Sequence, residues 1–281
     1  RVLDLCAAPG GKSSDLAASL RHAFGDDFIL VSNEVMRSRV SVLADNMALW
    51  GDPNVVVTSV DPKAFSRLEG FFDIIVADVP CSGEGMFRKD AKAVEDWSES
   101  VVNLCSTRQK RILADVWPAL HGGGIMIYST CTFEEAENDA VMEWAAGELG
   151  GDIQEYDYSS LEGVIPTRTG GLLVPGFVKG EGQFISSLVK NTGGGRCRVP
   201  GKPAVGAAER RKGNLLIHIP GSIVREISAL EVLHPVQAGV AKGVVKGRDL
   251  VPAADWALSL AFNEDDYPVE DLDRETALKF L

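Results

Sequence analysis

No C-x-x-C pair occurs in this sequence, no apolar run is long enough to cross a bilayer, and no signal peptide is recognisable. The five cysteines (Cys6, Cys81, Cys105, Cys131 and Cys197) are an odd number. They argue against a disulfide framework and against a metal centre, and they fit a reducing compartment in which thiols stay reactive. The missing span and leader make the cytoplasm the expected location, with no membrane partner. Positive charge is also scarce: 28 Lys and Arg stand against 40 Asp and Glu, a formal net charge of −12. That balance opposes nucleic-acid binding by overall charge and leaves local basic patches as the route to it. The first residue is Arg1, and Val2-Leu3-Asp4-Leu5 already reads as a strand, so the sequence is expected to begin inside a longer protein.

What is present is the composition of a soluble globular protein. Its 281 residues are 45% hydrophobic and 24% charged, enough for one large domain or a domain with a small appendage. The chain is arranged around Phe72-Asp73-Ile74-Ile75-Val76-Ala77-Asp78-Val79-Pro80-Cys81-Ser82-Gly83-Glu84-Gly85. Ile74 to Ala77 has the pattern of a strand buried on both faces. Pro80 fixes φ and has no N–H, so the strand stops before it. Asp78 and Cys81 then lie just past a strand end, where open α/β sheets bind ligands. In isolation this would be a structural cysteine beside a turn-capping acid. Four other strand ends carry similar features.

Val2 to Cys6 reads as a first strand, running into Ala7-Ala8-Pro9-Gly10-Gly11-Lys12 and a helix with Leu16, Ala17, Leu20 and Phe24 on one side. A strand, a Gly turn and a helix start present backbone N–H groups to an anionic or polar ligand. The turn is neither the dinucleotide G-x-G-x-x-G nor the Walker loop. A second strand, Phe28 to Ser32, ends at Glu34, where α/β cofactor sites place a carboxylate for ribose hydroxyls. Met36, Val40, Leu43, Met47 and Trp50 form the core stripe of the next helix, closed by Gly51 and Pro53. Val55 to Val60 reads as a third strand ending at Asp61, and Arg88, Lys89 and Lys92 make a basic cluster after the fourth. A helix over 100–120 is expected to bury Val101, Cys105, Ile112, Val116 and Leu120 and to end at Gly122-Gly123-Gly124. Ile125 to Tyr128 is a fifth strand, which brings a second cysteine, Cys131, to a strand end. A helix over 134–149 follows, and Gly182 to Lys190 is expected to close the sheet edge.

Strands alternating with helices predict an α/β fold with a doubly wound, mostly parallel, Rossmann-like sheet. The expected division is a main domain at 1–192, a basic flexible linker at 193–212 and a small α+β domain at 213–281, with β-like runs at 215–219, 230–233 and 239–245.

Three stretches, in order, resemble one family. They are Asp4-Leu5-Cys6-Ala7-Ala8-Pro9-Gly10-Gly11-Lys12, then Asp78-Val79-Pro80-Cys81-Ser82-Gly83-Glu84-Gly85-Met86-Phe87-Arg88-Lys89, then Tyr128-Ser129-Thr130-Cys131-Thr132-Phe133 with Glu137-Asn138. The family is the RNA cytosine-5 methyltransferases that use S-adenosyl-L-methionine, and within it the RsmF-like ribosomal RNA branch. The resemblance covers residues 1–190. The stretch Val245-Lys246-Gly247-Arg248-Asp249-Leu250-Val251-Pro252 resembles the branch's small PUA-like RNA-binding domain. Val79 stands where the family has Ala, and Ala136 where it has Glu. The resemblance implies a methyltransferase sheet, S-adenosyl-L-methionine as cofactor, ribosomal RNA or the small ribosomal subunit as partner, and an RNA-binding region upstream of Arg1. It implies Cys6, Ala7, Ala8, Pro9, Gly10, Gly11 and Lys12 around the methionine part of the cofactor, Glu34 on the ribose and Asp61 on the adenine amine. Asp78 would contact cofactor and base, Cys131 would be the nucleophile, and Cys81 the second thiol that helps release product.

The chemistry calls for such a set. Cytosine C5 is too weak a nucleophile to take a methyl group directly, and thiolate addition at C6 makes it enamine-like. The intermediate must then lose its C5 proton and expel the thiolate. A nucleophilic cysteine, an acid near N3/N4 and a base or second thiol are therefore needed. A thiol of pKa about 8.5 needs activation, by strand-end amides or by Lys12. The base must be unstacked from its RNA. Spacing alone does not say which cysteine attacks. Transfer RNA is the alternative substrate. A non-catalytic RNA-binding or ribosome-assembly factor is a second class, opposed by the intact cysteine pair. An NAD(P) oxidoreductase is a third, opposed by the first Gly turn.

Overall fold

The computed structural model describes residues 1–200, 206–267 and 270–280. Five strands, β1 (Val2–Asp4), β2 (Leu30–Asn33), β3 (Val55–Thr58), β4 (Phe72–Asp78) and β5 (Leu120–Thr130), run parallel in the order β3-β2-β1-β4-β5. The connections carry α1 (Gly11–Phe24), α2 (Arg37–Trp50), α3 (Ala91–Asp96) and α4 (Glu99–Val116), and α5 (Asp139–Leu149) follows β5. Successive side chains of a strand point to opposite faces. Val2, Leu30, Val55 and Val57 accordingly pack with Ala17, Leu43 and Met47 of α1 and α2. Leu3, Val31, Val56 and Ile75 pack into a second cluster with Phe65, Ile112, Leu113 and Val116. Burial on both faces explains the near-continuous apolar runs of these strands. The winding reverses between β1 and β4, which opens a crevice at their carboxyl ends.

Beyond β5 the sheet continues through β6 (Gly151–Ile153), β7 (Val164–Pro166), β8 (Gly170–Leu173) and β9 (Gln183–Lys190). β9 lies antiparallel to β5, from Ile125↔Val189 to Thr130↔Phe184. It does not close the edge as expected. β6 pairs with its C-terminal half, β8 with its N-terminal half, and β7 lies outside β8. These added strands are three or four residues long, too short to show alternation. The helix expected to reach residue 120 stops at Val116, and Gly122, Gly123 and Gly124 lie inside β5. Gly123, at φ 87°, sits beside the register shift between Phe72 and Ile74 of β4. In α2 the centre of the stripe, Val40, Leu43 and Met47, is buried, whereas Met36 and Trp50 are exposed.

The stretch expected as a linker holds β10 (Ala208–Lys212), which pairs with β11 (Leu215–Ile219). Next come α6 (Val224–Leu230) and β12 (Gln237–Ala238), then β13 (Val240–Lys246) and β14 (Asp249–Pro252). Strands β10-β11-β13-β14 make a separate antiparallel sheet. Residues 230–233 are helical rather than β-like. Ile227, Leu230 and Leu233 join the cluster that holds Leu3 and Ile75, and β12 adds an antiparallel strand to β3. The C-terminal part thus builds its own sheet and also covers the main core. Two short helices, α7 (Ala254–Ala257) and α8 (Arg274–Phe280), end the described chain. No helix among the described residues is long and apolar enough to cross a membrane.

Candidate active site

The parallel register sets Asp78 beside Ser129, so the turns leaving β4 and β5 are neighbours. Val79 N–H donates to the Ser129 carbonyl at 3.0 Å and Gly85 N–H to the Cys131 carbonyl at 2.8 Å, which laces the two turns together. Gly85 is required there: a Cβ would fall 2.6 Å from the Gly182 carbonyl oxygen and 2.9 Å from that of Cys131. The result is a thiol pair, Cys81 Sγ and Cys131 Sγ, 3.0 Å apart and half-buried, with both cysteines free. The two sulfurs share a hydrogen bond, and this bond with Cys81 holds Cys131 below the ordinary thiol range. The same hydrogen bond, together with burial, pushes Cys81 far up. The pair is therefore asymmetric: Cys131 is the better thiolate and Cys81 keeps the proton.

Asp78 joins this pair to the glycine turn. Its Oδ1 accepts from Ser129 Oγ at 2.7 Å, and its Oδ2 lies 2.7 Å from Lys12 Nζ on the first turn of α1. Lys12 is thereby committed to Asp78, and the activation of Cys131 comes from Cys81 rather than from Lys12. Gly10 sits at φ 115°, with its N–H on the Ala7 carbonyl at 2.8 Å, and a Cβ there would lie 2.9 Å from Met47 Cε. Asn46 Nδ2 donates to the Pro9 carbonyl at 2.7 Å, and Arg39 to that of Ala8. Asn33 ties three strand ends, donating to the Leu5 and Val60 carbonyls and accepting from Thr58 Oγ1.

The carboxylates on this side keep open positions. Glu34 is buried; its Oε1 accepts from Met36 N–H at 2.8 Å, while its Oε2 lacks a hydrogen bond and faces Arg39 at 3.2 Å. Asp4 is buried at the end of β1, with Oδ2 on Ser13 Oγ at 2.7 Å and Oδ1 without a partner. Burial raises its carboxyl to about 6. Asp61 is half-exposed and accepts from Lys63 N–H at 3.1 Å. Cys6 is pushed up to about 12 by burial and by the nearby acids Asp4 and Glu34, so its thiol is inert.

The expected residues therefore fall on one rim: Cys6 to Lys12 after β1, Glu34 after β2, Asp61 after β3, Asp78 and Cys81 after β4, and Cys131 after β5. In the basic cluster Arg88 donates to the Gly180 carbonyl at 3.3 Å and Lys89 pairs with Glu181. Sequence patterning missed Gln109 and gave no role to Glu137, which it named only within the third family-like stretch; both are fully buried and bonded to each other at 2.7 Å beside Cys81. A signal for Gln109 was available, since it sits four residues after Cys105 on the apolar face of α4.

Residues 1–188 match the family described as 16S rRNA methyltransferase RsmB/F. The chain belongs to that family. This RsmB/F member is 34% identical over 259 residues to the ribosomal RNA small subunit methyltransferase F of Salmonella arizonae, across 89% of this chain and 49% of that protein. It is 42% identical over 146 residues to the protein of the same name from Klebsiella pneumoniae, across 51% of this chain and 30% of that one. The chain spans about half the length, or less, of these curated relatives. Among solved structures, NSun6 from Pyrococcus horikoshii with SFG superposes at a TM-score of 0.60 with 23% identity, over 68% of this chain and 48% of that one. A methyltransferase homolog from Pyrococcus horikoshii gives 0.54 with 27% identity, over 67% and 61%. The fold is Rossmann-like, as expected.

The family's cofactor is S-adenosylmethionine. The RsmB/F residues fit it: a buried carboxylate oxygen without a partner on Asp4, a buried carboxylate on Glu34 whose second oxygen meets only Arg39, and a left-handed glycine turn line the carboxyl ends of β1 and β2. A ligand rich in hydroxyl and amine donors answers that set.

Proposed function

We propose that this chain methylates cytosine C5 in small-subunit ribosomal RNA through a covalent bond between Cys131 and cytosine C6. The observation that carries the reading is the 3.0 Å thiol pair, joined through Ser129 and Asp78 to Lys12 of the glycine turn. Residues Cys6 to Lys12 hold the methionine part of the cofactor, Glu34 the ribose hydroxyls and Asp61 the adenine amine. When bound, S-adenosylmethionine supplies an electrophilic methyl group.

The Cys131 thiolate attacks C6, and the C5–C6 electron pair becomes available at C5. Asp78 meets the N3/N4 edge of the base, where in its protonated form it donates to N3 and offsets the negative charge that thiolate addition puts into the ring. Once Cys131 is a thioether, Cys81 no longer shares its proton with a thiolate and can assist elimination. C5, having taken the methyl group, gives its proton to Cys81, whose own proton has first passed to solvent; the C5–H electron pair restores the C5–C6 double bond, and the C6–S pair leaves with Cys131 as thiolate. The lowered Cys131 and raised Cys81 support this assignment of roles. The C-terminal part, with its antiparallel sheet of β10, β11, β13 and β14, serves as a PUA-like RNA-binding domain, and the enzyme works in the cytoplasm. Bisulfite sequencing of small-subunit rRNA tests the reading. One unconverted cytosine is expected in cells that carry the gene, converted when the gene is deleted. An unchanged conversion map after deletion sinks it.

A further inference from the structure

We infer that Glu137 is the positioning residue for Cys81, holding the turn after β4 so that the second thiol sits against Cys131. This rests on the methyl-transfer reading and adds a residue to it. Glu137 is fully buried, in the turn between β5 and α5. A buried carboxylate is costly unless its oxygens are hydrogen-bonded. Here the donors come from the segment that bears Cys81 and from α4. Ser82 N–H lies 3.3 and 3.1 Å from Oε1 and Oε2, and Ser82 Oγ donates to Oε1. Gln109 Nε2 donates to Oε2 at 2.7 Å and to the Pro80 carbonyl at 3.0 Å.

Pro80 and Ser82 flank Cys81 on either side. The Gln109–Glu137 pair therefore clamps both neighbours of the thiol from inside the protein. The clamp is anchored on β5 as well, because Tyr128 Oη donates to the Glu137 carbonyl at 2.6 Å, three residues before Cys131. Packing of α4 and α5 does not depend on the acid, since Ile112, Leu113, Val141 and Met142 already share the core there. An ionised carboxylate only accepts, so it suits three inward donors, whereas an amide must turn N–H groups toward some of them. A displacement of about 1 Å is enough to spoil reactive geometry.

The test uses Glu137→Gln, which keeps the side-chain shape. Iodoacetamide labelling followed by mass spectrometry reads Cys81, with Cys105, buried on α4, as the internal control. Cys81 labelling is expected to rise about 10- to 100-fold with Cys105 unchanged, and kcat on small-subunit rRNA to fall by a similar factor with KM within about twofold. Ser82→Ala keeps the backbone N–H and should give a smaller rise in the same direction; it replaces Glu137→Gln if that variant does not fold. Unchanged Cys81 labelling in both variants, or Cys105 labelling that rises in step, overturns the inference. The labelling needs no RNA. A wild-type protein that methylates no RNA while Glu137→Gln still releases Cys81 therefore sinks the methylation reading alone.

Discussion

The two sides of the crevice are built differently. At the ends of β4 and β5 the polar side chains are tied to one another: Ser129 to Asp78, Ser82 and Gln109 to Glu137, Thr130 to Asn138, and Thr132 to Glu84. At the ends of β1, β2 and β3 the acids are bonded more loosely: Asp4 Oδ1 has no partner, Glu34 Oε2 meets only Arg39 at 3.2 Å, and half-exposed Asp61 meets Arg111 at 3.8 Å. One side is wired before any ligand arrives, which is what bond making requires. The other side leaves acceptors for a ligand to complete.

Substitutions should separate the two sides. The largest effect is expected for Cys131→Ala, which should lower methyl transfer by roughly ten-thousand-fold. Cofactor affinity, measured by calorimetry, should stay within about twofold, because no cofactor contact is removed. Cys81→Ala should lower turnover by about a hundredfold while adduct accumulates. It should also move the Cys131 alkylation midpoint upward, since the S–H donor that lowers Cys131 is gone. Glu34→Ala should weaken cofactor binding by about 10- to 100-fold and leave the alkylation rates of Cys81 and Cys131 unchanged. Asp61→Ala should weaken it by about 3- to 10-fold. Should Glu34→Ala alter thiol reactivity as strongly as cofactor affinity, the two sides are not separable.

The smallest effect concerns Asp4. Its folded-state carboxyl is raised to about 6 from an ordinary value of 3.8. The folded chain then binds more protons than the unfolded chain in that window, so the contribution of Asp4 to stability falls as pH rises from about 4 to about 6. Asp4→Asn should remove that slope. Thermal melts of the cofactor-free protein across this range check it, and an identical slope in the variant counts against a buried acid with one unpaired oxygen at the end of β1.

Much of the β1–β3 side was legible in the sequence because single residues mark it. A glycine at positive φ, an acid after an apolar run and a proline stop each have one dominant cause. The thiol side was legible in its cysteines and Asp78, but not in what holds them. Gln109 lies on a helix stripe whose period shows that it is buried but not what it meets, and Glu137 lies in a turn expected to be helix. Gln109 meets the Pro80 carbonyl, 29 residues away, and Glu137 meets Ser82, 55 residues away, pairings created by the β4–β5 register. The interior position of β9 and the covering of the main core by Ile227 and Leu230 were hidden for the same reason. Local pattern predicts elements, and long-range pairing decides their neighbours.

Central to this account is that Cys131 attacks and Cys81 assists release. RNA carrying 5-fluorocytidine at the target position tests it most directly, because fluorine at C5 cannot leave as a proton does and the adduct is trapped. Peptide mapping of the protein–RNA complex formed with S-adenosylmethionine should place the nucleotide on Cys131, in the wild type and in Cys81→Ala, with no complex from Cys131→Ala. A nucleotide found on Cys81, or a complex that survives Cys131→Ala, would contradict it.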